Sequence, residues 1–199
     1  MAELPVLLLA AGRSERMGQV KPLLPWGTGT LIEHQIGVLL ETGHPVFVMV
    51  GYQAGKIIPL IETYPVKIFM NDDWEKGMGS TISAGVKCVT ADHPRARGIL
   101  IALVDQPLIP AAHYISMSNL FQPLNAAIIA TRSRGGLEGA PALFDESYFG
   151  ELVTLQGKEG ARIIIRKHRK NTRFLDCSEA GEDMDTPDAY RRLHDKYFS

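Results

Sequence analysis

Cysteine is scarce. Cys88 and Cys177 are the only two in 199 residues, and they lie far apart with no CxxC pair. This excludes a disulfide framework and a cysteine zinc site, and it suits free thiols in a reducing compartment. The six histidines are scattered without an HxH or HxxxH pair, so no histidine zinc site is implied either. An excess of one charge is also lacking. The formal net charge is −1, whereas domains that grip nucleic acid are strongly basic. A local polyphosphate site remains open, because it needs only a few well-placed cations. No apolar stretch approaches membrane-spanning length. Met1-Ala2-Glu3 carries no basic segment, and the apolar run Val6 to Ala11 is too short for a secretion signal. The chain therefore reads as cytoplasmic, with neither a membrane nor a nucleic acid as partner. A Gly-x-Ser-x-Gly elbow is absent, which argues against a serine hydrolase.

Hydrophobic residues make up 45% and charged residues 22%, the ordinary globular mixture. Residues 1–199 are enough to bury a core as a single domain. Leu4 to Leu9, Val46 to Val50, Val66 to Met70, Gly98 to Val104 and Ala126 to Ala130 are continuous apolar runs rich in Val, Ile and Leu. Such runs suit strands buried on both faces of a mostly parallel sheet. Helical patterns lie between them. Thr30 and Glu33 form a capping box before Leu31, and Gly43 closes that helix. Ser80 is read as the cap of a helix to about Cys88, and Pro110 as the opening of another through Leu120. Thr186-Pro187 reads as a further helix start. The stretch Arg132 to Gly139 is polar and glycine-rich and reads as a loop. This βαβ alternation predicts an α/β fold, a three-layer αβα sandwich.

The strongest local signal follows the first strand: Leu9-Ala10-Ala11-Gly12-Arg13-Ser14-Glu15-Arg16-Met17-Gly18, with Lys21 just beyond. Small residues at Ala10, Ala11 and Gly12 allow close approach to the backbone, and a turn after a strand can aim N–H groups at an anion. Arg13, Arg16 and Lys21 add positive charge. Neither a Walker A loop nor the GxGxxG spacing of dinucleotide folds is present. From composition alone, a plain surface loop stays open as the alternative. Asp105 ends an apolar strand, and the carboxyl ends of parallel strands are where such sheets hold ligands. Its carboxylate suits Mg²⁺, although helix capping ahead of Pro107 and Pro110 is also possible. Asp185 likewise stands where it can cap the helix that starts at Pro187.

L-A-A-G-x-S-x-R-M-G-x-x-K resembles the signature of the nucleotidyltransferases similar to molybdenum cofactor cytidylyltransferase. The likeness continues in order through Asn71, Trp74, Gly77-Met78-Gly79-Ser80, Asp105-Gln106-Pro107, Gly157 with Gly160-Ala161-Arg162, and Asp183-Met184-Asp185-Thr186-Pro187. The resemblance implies a Rossmann-like nucleotide-diphospho-sugar transferase fold. It implies an Mg²⁺-dependent transfer of CMP from CTP to the phosphate of molybdopterin. In that transfer Arg16, Lys21 and Asp105 are catalytic. Ala10, Ala11, Gly12, Gly79 and Ser80 join those three in nucleotide binding, and Asp105 with Asp185 holds the metal. A molybdenum hydroxylase would receive the product. Ala10-Ala11-Gly12 leans to the cytidylyl branch, whose guanylyl counterpart has Ala-Gly-Gly there. Two positions depart from the pattern: Gly139-Ala140-Pro141, where relatives often carry histidine before the proline, and Lys158, where an acidic residue is common. A GTP or sugar 1-phosphate enzyme on the same scaffold is the alternative, as is a non-catalytic cofactor carrier.

Overall fold

The computed structural model describes residues 4–123, 125, 127–182 and 184–198, the side chain of Arg16 excepted. Strand β1 (Val6–Ala10) leads through two short 3-10 turns to the small hairpin β2 (Pro25–Trp26) and β3 (Gly29–Thr30), then to helix α1 (Leu31–Leu40). Next come β4 (Val46–Val50), α2 (Ala54–Ile61), β5 (Lys67–Met70), α3 (Met78–Asp92), β6 (Gly98–Leu103) and α4 (Ala111–Leu120). The second half holds β7 (Ile128–Arg132), β8 (Glu138–Asp145), α5 (Phe149–Leu152), α6 (Arg162–Lys167), β9 (Thr172–Asp176) and α7 (Pro187–Phe198).

Seven strands form one sheet in the order β5-β4-β1-β6-β8-β7-β9. All neighbours run parallel except β8, which is antiparallel to both β6 and β7. Side chains alternate across the sheet with the period of two that strands impose. In β1, Val6, Leu8 and Ala10 join the apolar layer shared with α1, α2, α4 and α7. Leu7 and Leu9 face the layer under α3, α5 and α6. Every residue of β1 and β4 is buried, which is why both runs read as unbroken apolar stretches. The architecture is the expected three-layer αβα sandwich.

The predicted capping box is present: Thr30 N–H and Oγ1 both donate to Glu33 Oε2, at 2.9 and 2.6 Å. Elsewhere the boundaries move. Helix α3 is entered at Gly77, whose φ of 99° no other residue type adopts easily, and it runs on to Asp92. Ser80 is therefore not its cap. The Ser80 hydroxyl points back to the carbonyls of Gly77 and Asp73, at 2.8 and 2.9 Å, and shares its one hydrogen between them. The strand expected from Ala126 begins at Ile128, Ala126 itself lying outside the described residues. The expected loop from Arg132 to Gly139 shrinks to a turn, because Arg132 ends β7 and Glu138 starts β8. In that hairpin the register shifts after Ala130, and Ala140-Pro141 form a bulge.

Candidate active site

The site lies at the carboxyl ends of β1 and β6, the sheet edge where open α/β folds gather ligands. After β1 the chain passes through Gly12, and Ser14 adopts left-handed φ and ψ of 57° and 48° ahead of a 3-10 turn at Glu15–Met17. Gly18, at φ 65°, closes that turn. A left-handed serine costs on the order of 1 kcal/mol, so the surrounding packing fixes this loop shape. The loop leans on β4: Tyr52 N–H donates to Ala11 O at 3.0 Å. The Arg13 guanidinium lies 5.8 Å from the Tyr52 ring centroid, and that ring sits 5.2 Å from Trp74. A Cβ at Gly12 would meet no protein atom within 4 Å. What glycine keeps clear there is the cleft itself.

Lys21 follows the loop and is 7% exposed. Its ammonium donates to Asp105 Oδ2 at 2.8 Å and to Asp185 Oδ1 at 2.6 Å. Burial pulls the lysine pKa down, but Asp105 and then Asp185 outweigh it, so the net shift is upward and the ammonium stays charged. The backbone completes the junction, with Met184 N–H donating to Asp105 O at 3.3 Å. Ala189 N–H of α7 donates to Thr186 Oγ1 at 3.2 Å, and Pro110 occupies the cap position of α4. Asp183 lies outside the described residues, as does the side chain of Arg16.

Two clefts meet at this carboxylate pair. One, of about 330 Å³, is lined by the Ala10-Ala11-Gly12 loop, Lys21, Trp74 and Thr81. The other, of about 440 Å³, has a floor of Ile101, Ala140 and Ala142 and a cationic side of Arg162 and Arg166. Leu9, Met78, Leu103, Asp105, Lys158 and Asp185 belong to both. Each volume is within the range of small-molecule sites, roughly 300–1,000 Å³. The entrance of α3 packs tightly on the 156–157 loop: a Cβ at Gly79 would lie 2.5 Å from Gln156 O, and Gly79 N–H donates to Gly157 O at 2.9 Å.

The structure thus gathers Ala10, Ala11, Gly12, Lys21, Asp105 and Asp185 around one space, whereas Gly79 lines neither cleft and packs against Gln156 and Gly157. Ser80 faces the other side of the α3 entrance, beside Asn71 and Lys87. Two hydroxyls line the first cleft, Ser14 from the loop after β1 and, from α3, Thr81; Thr81 is 6% exposed and accepts from Asn71 Nδ2 at 3.0 Å. Sequence reasoning passed over Thr81. One residue along a helix turns a side chain by about 100°, so only the true start of α3 at Met78 reveals which hydroxyl enters the cleft.

The two carboxylates also pass a fit test for a divalent ion. Their oxygens already converge on one cation, the Lys21 ammonium, within 2.8 Å. Among the described residues no group of three or more His, Cys, Asp and Glu side chains is placed to hold a metal. Two carboxylates with room for phosphate and water match the usual demand of Mg²⁺.

The mostly parallel seven-strand sheet with helices on both faces is the fold of the Rossmann-like nucleotidyltransferases. The chain belongs to the family described as the MobA-like NTP transferase domain, whose model matches residues 6–172. It is 32% identical to nicotine blue oxidoreductase of Paenarthrobacter nicotinovorans, over 94% of each chain. It is 23% identical to molybdenum cofactor cytidylyltransferase of Escherichia coli, over 99% of this chain and 98% of that one. Among solved structures it resembles Rv0371c of Mycobacterium tuberculosis, with a TM-score of 0.85 and 29% identity over 98% of both chains. A manganese complex of Rv0371c matches with a TM-score of 0.81 and 27% identity, again over 98% of both chains. No helix among the described residues is long and apolar enough to cross a membrane.

Proposed function

We propose that this protein transfers CMP from CTP to the phosphate of a molybdopterin-type acceptor, with release of pyrophosphate. The observation that carries the reading is the pair Asp105 and Asp185, converging on one cation on the wall shared by two clefts. The donor lies in the first cleft, its α-phosphorus at the shared wall, and the acceptor lies in the second. An acceptor phosphate oxygen attacks the α-phosphorus, and the bond from that phosphorus to the bridging oxygen breaks. Pyrophosphate leaves with the electron pair. A phosphate monoester is already anionic near neutral pH, so the step needs no strong general base. No histidine lines either cleft among the described residues, in keeping with that economy.

The work left to the protein is positioning and charge neutralisation. The backbone around Gly12, with Arg16 and Lys21, cradles the triphosphate, and the Thr81 hydroxyl meets the nucleoside. Asp105 and Asp185 would hold a divalent ion, Mg²⁺ in this reading, which would supply further charge neutralisation. The manganese complex of Rv0371c supports a divalent ion, and the cytidylyltransferase relative supports the acceptor. Ala10-Ala11-Gly12 favours cytidine over guanosine. Lys158, Arg162 and Arg166 beside an apolar floor suit an anionic group on a flat ring system.

The relative named an oxidoreductase favours a second reading. In it the chain serves such an enzyme, holding the molybdenum cofactor for a molybdenum hydroxylase without transferring a nucleotide. Pyrophosphate release separates the two. With Mg²⁺ and molybdopterin acceptor, CTP should release pyrophosphate faster than GTP or ATP. A preference for GTP would move the enzyme to guanylyl transfer. Stoichiometric acceptor binding with no pyrophosphate from any triphosphate would establish the carrier instead.

A further inference from the structure

The Lys21 ammonium stands where a metal ion would stand. Its nitrogen is 2.8 Å from Asp105 Oδ2 and 2.6 Å from Asp185 Oδ1, and Mg²⁺ bound to the same oxygens would sit about 2.0–2.1 Å from each. Those positions nearly coincide, so one carboxylate pair cannot hold both cations. The backbone of Lys21 is fixed: it begins a 3-10 turn with Pro22, and Leu24 N–H donates to Lys21 O at 3.0 Å. Only the side chain can yield. A divalent ion arriving alone would leave a buried ammonium without its counter-charges, which is costly. A triphosphate arriving with the ion offers that ammonium new anionic oxygens within the same cleft.

Resting on the nucleotidyltransferase reading, we infer that Lys21 fills the cation position of the nucleotide-free protein and releases the carboxylates to a divalent ion only when a triphosphate takes the ammonium. Metal and nucleotide then bind with positive coupling, and the coupling is reciprocal. The lysine keeps the aspartates paired between turnovers and makes the metal–nucleotide complex the species that enters.

The test is Mn²⁺ binding, read from the electron paramagnetic resonance signal of the free ion, with a CTP analogue that has a methylene bridge between its α- and β-phosphorus atoms. In the unaltered protein, Mn²⁺ affinity should rise at least tenfold when the analogue is present. Lys21→Met should bind Mn²⁺ without nucleotide at least tenfold more tightly than the unaltered protein, and the enhancement by the analogue should shrink. Equal or weaker nucleotide-free binding in a folded Lys21→Met protein overturns the inference. If that variant does not fold, the unaltered protein decides alone: nucleotide-free Mn²⁺ binding as tight as in the ternary mixture overturns it. If no triphosphate binds under any condition, the transferase reading falls. Tighter Mn²⁺ binding by Lys21→Met would even then uphold the counter-ion role.

Discussion

The Thr81 hydroxyl accepts a hydrogen bond from Asn71 Nδ2, so it keeps its own hydrogen for an acceptor in the cleft. The Asn71 amide is in turn fixed, because its Oδ1 accepts from Asp73 N–H at 3.1 Å. Thr81→Val preserves the shape and removes the hydroxyl. The nearly buried Asn71 donor then loses its better acceptor, at a cost of about 1–3 kcal/mol, and the nucleoside loses a donor. Both effects should be visible: a lower melting temperature and a raised KM for the triphosphate, with Thr81→Ser close to the parent in each. A Thr81→Val enzyme with unchanged KM would remove Thr81 from the nucleotide site. At this scale Lys21, Asp105 and Asp185 were legible as motif positions, and the fold brings those three side chains together. The sequence was silent on Thr81, whose part depends on how the helix is turned rather than on what threonine is.

Helix α3 shows how the same problem arises for an element. Its entrance is built on glycines, and they do different things from Gly12. A Cβ at Gly77 would stand 2.5 Å from Gly157 O, and one at Gly79 equally close to Gln156 O; these are rigid backbone atoms. Gly79→Ala should therefore push the 156–157 loop off α3, at about 1–3 kcal/mol for overpacking. In a chain of this size that lowers the melting temperature by roughly 2–4 °C per kcal/mol. Gly12→Ala meets no protein atom and should melt with the parent while binding the triphosphate more weakly. Thermal unfolding and nucleotide titration of the pair check this, and a stability loss in Gly12→Ala would show that the loop is structural. Strands β1, β4 and β6 were legible because burial on both faces leaves an unbroken apolar run. Strand β8 was not: Gly139 and Pro141 sit inside it, residues that ordinarily mark turns, and the bulge at Ala140-Pro141 is what admits them. Helix α2 was hidden by Gly55, Pro59 and a left-handed Gln53 at its entrance.

For the whole molecule, acid sensitivity follows from one buried and one half-buried imidazole. His113 is held below its ordinary value of 6.5 by burial, against a smaller upward pull from Glu179, and burial lowers His44 as well. Thr131 Oγ1 donates to Pro141 O at 2.8 Å, so in its 2.8 Å contact with His113 the imidazole Nε2–H is the donor. Below about pH 6.5 the unfolded chain takes up protons that the folded chain refuses, and stability falls as pH drops through that window. The melting temperature should therefore be lower at pH 5.5 than at pH 7.5, and His113→Gln should flatten the difference. A His113→Gln protein with the full parental slope would exclude this histidine as a source. The wider site was legible as a set of motifs in register. Its three-dimensional form was not, because the two clefts share a wall only after residues 78, 105, 158 and 185 have been brought together by strands far apart in the chain.

The single reversed strand also imposes an order on biosynthesis. As the chain leaves the ribosome, β1, β4, β5 and β6 are complete by Leu103 and can assemble as a parallel half-sheet. The remaining edge of β6, Gly-Ile-Leu-Ile-Ala-Leu, has no partner until residues 138–145 emerge and return antiparallel against it. For the translation of more than thirty further residues, a nascent chain carries an apolar strand with an open hydrogen-bonding edge, the kind of surface that recruits chaperones or a second unfinished copy.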